Sequence, residues 1–570
     1  MKRIKIIFTL LIVTILLSTC ETFDNFLDSY PKTYKTESTF FQTEVEMYQA
    51  LVGCYNGLQL WLNDGGNWVW PIVCDIMSDD ACGGAGKSDY LLPQTLDRFD
   101  ITISPSESNI YNTMWARFWT TIANVNTFLR QAENFTWNDN SDFSISKKMT
   151  EASSCAEVRF IRAYLYFCSM QMWGHLPLID EETEDASLEE QVDPEYIYEL
   201  IVTDLKSAIQ DLPSTINIDE SEFSGRATKY AAEALLSRVY LYYTGYYGKT
   251  QIGLPRVDKA GLLSYMGNIL NESQVKTYLS DIIQNSGHEL IENFETIWPA
   301  GAAAAGVEYA GEDNKEIVFA IKHGYVGRTR ATGWVSDMGA RAFPMPPYGR
   351  GWGFDIPNKS LWDAWDSNDT RKVASLFNVL EEVNVFNNGE LYDDEAAGRD
   401  VREYQSLFLK KYLREINENG DEIYGLYVGN PRSMQSFTDF VVIRYADVLL
   451  MAAELGIDAQ TNFDKVRNRA YGDTAPYKEA TYENIMDERR WEFVGESLRY
   501  WDLLRRGLEY AADIITIEPP GVPVRNGAFI YGTNNIVIKR EFIMQTYGLS
   551  QLPNTQVSLS NGRIVQNEGW

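Results

Sequence analysis

A glycine-rich segment is the closest match in the chain to a nucleotide-binding motif. It reads GGAGKS over residues 83–88. A phosphate-binding loop of the Walker type needs a glycine at position 81, where the chain has Ala81, and a helix after the serine, which Pro93 would interrupt. We therefore interpret the segment as a flexible surface loop rather than a nucleotide site.

Metal-binding patterns are incomplete. The three histidines, His175, His288 and His323, lie far apart, and their spacing does not match the paired ligands of a zinc site. Residues 366–369 form an oxygen-rich turn, with Asp366, Asn368 and Asp369, but the glycine and the distal glutamate of an EF-hand are missing. We interpret the segment as a capped turn. The sequence does not decide whether this turn binds a structural calcium ion, and it predicts no cofactor.

The acidic residues leave the question of catalysis open. A glycosidase needs two carboxyl groups about 5 to 10 Å apart, and a chain with 80 aspartates and glutamates could hold such a pair anywhere. No Ser-His-Asp or Cys-His arrangement is recognisable, so no catalytic residue is predicted. The net charge of −30 at pH 7 repels polyanions, which excludes nucleic acid as a partner.

The first twenty residues have the order of a bacterial lipoprotein signal. Basic residues at positions 2, 3 and 5 precede an apolar run over residues 6–17, which is shorter than the about 20 residues that span a bilayer. The sequence LSTC at residues 17–20 then resembles a lipobox, which predicts removal of residues 1–19 and lipidation of Cys20. The alternative is an ordinary secretory signal with an incidental cysteine. With no later spanning stretch, we expect attachment to the membrane through lipid alone.

Five cysteines follow the predicted cleavage site. Cys54, Cys155 and Cys168 lie in apolar helical patterns, which predicts small core residues. Cys74 and Cys82 could pair across a loop, and the sequence does not decide between a disulfide and two thiols.

Amphipathic helices are the dominant pattern elsewhere. Apolar residues at helical spacing predict helices over residues 44–60, 112–132, 151–173, 194–212, 227–243, 441–455, 462–470 and 482–506. The helix at 227–243 is rich in alanine, which lets a neighbouring helix approach closely. Such pairs are typical of tetratricopeptide-like arrays, although no regular period is present.

Residues 287–440 have a different composition. Glycine- and proline-rich stretches at residues 300–306 and 343–353 alternate with short strand-like runs at 316–321 and 422–427. This pattern predicts a loop-dominated region, and long loops on a rigid scaffold often carry binding residues.

Motifs along nearly the whole chain together resemble the SusD/RagB family of outer-membrane lipoproteins. They occupy residues 27–31, 39–41, 54–58, 157–164, 173–178, 351–353, 443–454, 466–470 and 488–503. The alternating charges within the last motif, at Arg489, Arg490, Glu492, Glu496 and Arg499, favour an ion-pair network.

The resemblance implies an all-α fold in which tetratricopeptide-like helix pairs form a scaffold and a long loop-rich region packs on it. It implies a signal peptide at residues 1–19, a SusD-like helical region at 20–300 and a RagB/SusD C-terminal region at 301–570. It further implies a lipoprotein of the outer membrane, facing outside, that captures oligosaccharides for a SusC-like TonB-dependent transporter. Capture of peptides and, from another class, a surface glycosidase are the alternatives.

Loop aromatics are the predicted ligand contacts. A sugar ring stacks its apolar face on an exposed aromatic side chain, whereas aromatics at helical spacing are usually core. One loop cluster supplies Trp68, Trp70 and Tyr90, and a second supplies Trp334, Arg341 and Tyr348. We expect Trp334 to be exposed in a glycine-flanked loop, and interpret three other tryptophans as packing residues: Trp298, Trp362 and Trp365.

Overall fold

Long helices dominate the computed structural model, which describes residues 35–37, 39–60, 62, 70–83, 92–97, 99, 110–215, 224–253, 256–257, 263–264, 270–323, 333–339, 347–349, 351–378, 393–394, 399–400, 407–413, 415, 436–517, 522–523, 529–530 and 540–570. The helices of eight or more residues are Glu44–Leu60, Ile110–Asn134, Glu151–Trp173, Pro194–Asp211, Lys229–Tyr247, Glu272–Asn285, Tyr445–Glu454, Ala459–Tyr471, Tyr482–Glu492 and Leu508–Ile515. The predicted all-α scaffold is therefore confirmed. The signal peptide lies outside the described residues, and the boundary at residue 301 stays a prediction.

Local chemistry sets the ends of these helices. Thr150 begins the helix Glu151–Trp173 with a capping box, in which its hydroxyl accepts a hydrogen bond from the Ser153 amide at 3.1 Å. Pro194 stands at the first position of its helix, where a missing amide hydrogen costs nothing. Among the described helices, none combines the length and the apolar composition that crossing a membrane requires.

Consecutive helices pack against one another in the N-terminal half. Glu151–Trp173 contacts Pro194–Asp211, and the contact includes a buried two-pronged ion pair between Arg162 and Asp204 with both distances at 2.8 Å. Gly57 allows a close approach of the helix Ile110–Asn134, because a Cβ atom at this position would lie 2.4 Å from the Thr121 side chain.

The loop-rich region contains more short structure than its composition predicts. The glycine-rich stretch at 300–306 is mostly the helix Pro299–Ala305. The other short helices of the described chain are Trp70–Ile76, Leu92–Asp97, Asp142–Ser146, Trp334–Asp337, Lys359–Ala364, Thr370–Ser375, Arg499–Leu504, Arg540–Gln545 and Asn554–Leu559.

The strands form two-stranded antiparallel sheets. Their pairs are Ala81–Cys82 with Ile356–Pro357, Ile317–Ile321 with Phe440–Arg444, Leu376–Asn378 with Leu407–Leu409, Gln251–Ile252 with Leu270–Asn271, Arg256–Val257 with Leu263–Ser264, Asp393–Asp394 with Arg399–Asp400, and Val522–Pro523 with Phe529–Ile530. The strand predicted at 316–321 is confirmed, and the one at 422–427 lies outside the described residues.

Two helix predictions in the C-terminal half need correction. Residues 440–444 form a strand, so the helix expected at 441–455 begins only at Tyr445. The helix expected at 482–506 is interrupted over residues 493–498, where Gly495 and Ser497 have φ values of 72° and 64°. An apolar run and a continuous apolar stripe do not reveal such local pairing and turns.

A buried network of ion pairs, here called the ionic core, joins the C-terminal helices to the loop-rich region. Its centre is Glu492, whose carboxylate accepts hydrogen bonds from Arg371 at 3.0 Å, from Arg444 at 2.8 Å and from Arg469. Although burial opposes ionisation, these arginines hold the pKa of Glu492 well below its ordinary value. The remaining members are Glu316, Asp369, Lys411, Glu488 and Glu496. The five charges of the predicted network all form ion pairs, but with other residues rather than with one another: Glu492 and Glu496 belong to the ionic core, Arg489 pairs with Asp447, and Arg490 and Arg499 pair with Asp79.

Candidate functional site

Two segments that flank the predicted loop clusters meet in the fold. The strand Ala81–Cys82 pairs with Ile356–Pro357, and Asn358 closes the pairing. The Asn358 amide donates to the Asp80 carbonyl at 2.8 Å, and its side chain donates to the carbonyls of Asp79 and Ala81 at 3.1 and 3.2 Å. We call residues 79–82 together with 356–358 the loop junction. It brings the roots of the two clusters to one place, which the sequence did not predict.

Two arginines of the last family motif form ion pairs with the aspartates of the loop junction. Arg499 contacts the Asp79 carboxylate with distances of 2.7 and 3.0 Å, and Arg490 contacts Asp79 at 2.9 Å and Asp80 at 2.7 Å. Burial opposes ionisation of Asp79, yet the two arginines lower its pKa to about 2. Burial raises the pKa of Asp80, and the neighbouring Asp79 adds to that effect. This arginine pair fixes the backbone from which the first loop cluster departs.

A glycine-flanked segment just before the strand Ile356–Pro357 presents an exposed tryptophan. Trp352 is 36% exposed and stands between Gly351 and Gly353. Gly351 has no room for a side chain, because a Cβ atom there would lie 1.6 Å from the Met338 carbonyl oxygen. The Phe354 amide then donates to the Asp337 carbonyl at 2.9 Å and anchors the turn.

The predicted exposure of three site residues is wrong. Trp334 is 1% exposed and lies edge-on to Tyr412, with ring centroids 4.8 Å apart. Trp70 is 4% exposed and stacks on Trp501 at 5.6 Å. Tyr348 is 1% exposed and packs on a phenylalanine of the neighbouring strand. Aromatic residues near glycine and proline suggest exposed loops. In the structure the irregular segments direct these three rings into the hydrophobic core instead.

The other half of the predicted set, Trp68, Tyr90 and Arg341, lies outside the described residues. Trp352 is the exposed aromatic residue that the ligand prediction missed. A tryptophan between two glycines, as in residues 351–353, is a pattern from which an exposed ring could have been predicted. The packing interpretation of Trp298 and Trp365 is confirmed, with 1% and 3% exposure, and Trp362 is half-buried beneath the Lys372 ammonium at 4.3 Å.

The remaining chemical motifs have structural explanations. Asp369 caps the helix Thr370–Ser375 by accepting from the Arg371 amide at 3.0 Å, which confirms the capped turn. The described residues contain no cluster of side chains suited to a metal ion. Cys74 and Cys82 are separate, buried thiols, and residues 84–88 of the glycine-rich segment lie outside the described chain.

Two family models match the chain in sequence order. The one described as starch-binding associating with outer membrane matches residues 25–241, and that of the SusD family matches residues 315–570. SusD-like protein P25 of Formosa agariphila is 25% identical over 541 residues, covering 88% of this chain and 90% of that protein. The starch-binding protein SusD of Bacteroides thetaiotaomicron is 24% identical over 469 residues, or 76% of each chain.

Solved structures share the fold over nearly the whole length. Surface glycan-binding protein A of Bacteroides thetaiotaomicron, determined in complex with laminarihexaose, superposes with a TM-score of 0.70 at 22% identity, covering 93% of this chain and 100% of that one. A laminarin-binding SusD-like protein gives a TM-score of 0.67 at 23% identity, with the same coverage. From the two ordered family matches, the curated relatives and the shared helical fold, the chain belongs to the SusD/RagB family.

Proposed function

We propose that the chain is a lipid-anchored protein of the outer membrane that binds oligosaccharides at the cell surface and passes them to a SusC-like TonB-dependent transporter. The observation that carries the proposal is the exposed Trp352, which lies four residues before the strand Ile356–Pro357 of the loop junction. An exposed indole offers the flat apolar face on which a sugar ring stacks. Names of relatives that refer to starch or laminarin binding support the same ligand class.

No catalytic step is part of this proposal. The carboxylates at the loop junction are held by arginines, and Asp79 in particular is fixed by two of them. A glycosidase needs one carboxyl group that stays protonated near neutral pH to donate a proton to the leaving oxygen. Asp79, with a pKa lowered to about 2, is unsuited to that role. The pKa of Asp80 is raised by burial, but its carboxylate is buried and paired with Arg490 at 2.7 Å.

The ligand proposal is tested with Trp352→Ala in a soluble Cys20→Ala protein. Loss of one aromatic stack is worth about 1 kcal/mol, which corresponds to a several-fold weaker affinity for the bound glycan. Tyr196→Ala is the matched control, because Tyr196 is 40% exposed on the separate helix Pro194–Asp211. Binding to glycan and peptide arrays, followed by calorimetry, gives the readout. Peptide binding without glycan binding, or release of shortened saccharides, would overturn the proposal.

The anchor and the partner have their own tests. The Cys20→Ala protein should fold normally and leave the membrane fraction, because a lipid on Cys20 would be its attachment to the membrane. Retention of this variant after a high-salt wash contradicts the lipid anchor.

Mild detergent extraction of the unaltered protein should co-purify an outer-membrane barrel, as expected for a large interface of about 2,000 Å² or more. Recovery of the lipoprotein alone, while other outer-membrane complexes survive, contradicts the partnership.

A further inference from the structure

A cleft of about 630 Å³ lies apart from the loop junction. One wall is formed by residues 317–320 of the strand Ile317–Ile321 together with Lys322. The rest of the lining is residues 224–226, Thr228, 286–288 and 313–315, with Lys148, Ser214 and Thr215. We call it the strand cleft. Its volume falls within the about 300 to 1,000 Å³ typical of small-molecule sites. No residue of the loop junction lines it.

Most basic side chains that line the strand cleft already have carboxylate partners. Arg226 forms ion pairs with the buried Glu157. Lys322 contacts Asp439 and also Asp313, which itself lines the cleft, and Lys315 pairs with Glu289 at 3.0 Å. Of the four cationic side chains in the lining, which also include Lys148, at least three are therefore paired, and this pairing favours an uncharged ligand over an anion.

The strand that forms the wall is also closed to an extended peptide. Peptides that add to a sheet need open backbone groups along a strand edge. Residues 318–321 are only 3% to 6% exposed, so little of their backbone is accessible. Strand addition is therefore disfavoured, even though Ile317–Ile321 has one neighbour, Phe440–Arg444, in the described sheet.

The hydrogen-bonding groups that remain in the strand cleft suit a polyol. The Nδ1 atom of His288 lies 2.9 Å from the Lys315 carbonyl, and the neutral ring must donate there. Burial lowers the pKa of His288, although the carbonyl contact opposes the effect, so the ring is neutral at pH 7. The tautomer that follows leaves Nε2 as an acceptor.

Two hydroxyl groups complement that acceptor. Ser286 and Thr228 each accept a backbone N–H at 3.1 Å, from His288 and Ala231. Their own O–H groups donate to no atom of the described chain, which leaves two donors for a ligand. Phe319, at the base of the wall, adds an apolar surface.

We propose that the strand cleft is a second saccharide-binding site, for a short uncharged oligosaccharide. The proposal rests on the proposed glycan-binding function and adds a site that the loop junction does not include. A sugar supplies hydroxyl donors for His288 Nε2, acceptors for the two hydroxyl groups, and a C–H face for the apolar wall. A chain with two sites would hold two segments of one glycan, which raises the overall affinity without new contacts at either site.

The test removes one site and asks whether the other still binds. Laminarihexaose and maltohexaose are titrated calorimetrically into soluble protein carrying Cys20→Ala and Trp352→Ala. Thr215→Trp is then added to fill the exposed edge of the strand cleft, and we expect residual binding to fall by about tenfold or more. Gln210→Trp, exposed on the preceding helix and not part of the cleft, should leave it unchanged. His288→Ala should weaken it several-fold.

The outcomes separate this proposal from the proposed function. Residual binding that Thr215→Trp leaves unchanged overturns the strand cleft while glycan capture stands. The same conclusion follows if the parent protein binds one saccharide per chain and Trp352→Ala abolishes that binding completely. A parent protein that binds no saccharide at either site overturns both proposals. Thermal melting of each variant confirms that the protein is folded before binding is compared.

Discussion

Buried carboxylates lie both in the ionic core and next to the loop junction, but the side chains that surround them differ. In the ionic core Glu492 faces three arginines. Beneath the loop junction Asp355 is 1% exposed, has a φ of 55°, and neither of its carboxylate oxygens has a hydrogen-bond partner in the described chain. Burial, and then the neighbouring Asp75, raise its pKa well above the ordinary value. A buried carboxyl group therefore stabilises the fold where arginines surround it, as at Glu492. It destabilises the fold where the described chain supplies no partner, as at Asp355.

The largest effect is expected in the ionic core. Glu492→Ala leaves Arg371, Arg444 and Arg469 without their shared acceptor, and breaking such a buried network costs about 3 to 5 kcal/mol of unfolding free energy. Glu483→Ala is the control, because Glu483 is exposed on the same helix. Urea unfolding measures both. A loss for Glu492→Ala no larger than for the control would mean that the network does not stabilise the fold.

A comparable loss is expected for a buried aromatic residue of the loop-rich region. Trp334→Ala empties a site closed by Tyr412 and Phe440, at an expected cost of about 3 to 5 kcal/mol. Trp352→Ala, 18 residues further along the chain at an exposed position, should change the melting temperature little. Equal melting temperatures for the two variants would contradict the assignment of one ring to the core and the other to the surface.

A smaller effect of opposite sign is expected beneath the loop junction. Asp355→Asn keeps the shape, tolerates the positive φ, and removes a carboxyl group whose ionisation is opposed by burial, so it should stabilise the protein by about 1 to 3 kcal/mol at pH 7. Asp513→Asn, on an exposed side chain, is the control. A destabilised Asp355→Asn protein would mean that the carboxylate has a function-bearing partner.

The two regions should also differ in their dependence on pH. The pKa of Glu492 is lowered by folding, so its contribution is present above its ordinary value of 4.5 and is lost as the pH falls further. The pKa of Asp355 is raised, so its folded form loses stability as the pH rises above 3.8 towards the folded value. Melting curves between pH 4 and 8 should therefore show a stabilisation by Asp355→Asn that grows with pH. A constant difference would exclude titration of Asp355 as its cause.

The sequence predicted the helical scaffold well because its signals are local. A capping threonine, a starting proline and apolar residues at helical spacing act within one helix, and the bounds Glu44–Leu60 and Glu151–Trp173 follow directly from them. The alternating charges of the last motif indicated ion pairing but not the partners, because these residues do not pair with one another. Their partners Arg371, Arg444 and Arg469 come from distant segments, and no local pattern reveals such contacts.

The candidate site was harder to predict for the same reason. Whether Trp334 or Trp352 faces solvent depends on a turn fixed by the Met338 carbonyl and Gly351, which is a contact between two segments. Composition identified the loops as a region of interest but not the direction of each ring. The pairing of residues 81–82 with 356–357 joins segments separated by nearly half of the chain and has no sequence signature of its own.

The five described cysteines have a consequence for resistance to oxidation. None forms a disulfide, four are buried, and burial raises the pKa of Cys54 to about 12 and that of Cys155 to about 11. Since the thiolate is the form that reacts, these side chains are poor targets for oxidants and for disulfide exchange. A protein on the surface can therefore keep reduced sulfur in oxidising surroundings, where its stability depends on packing rather than on covalent cross-links.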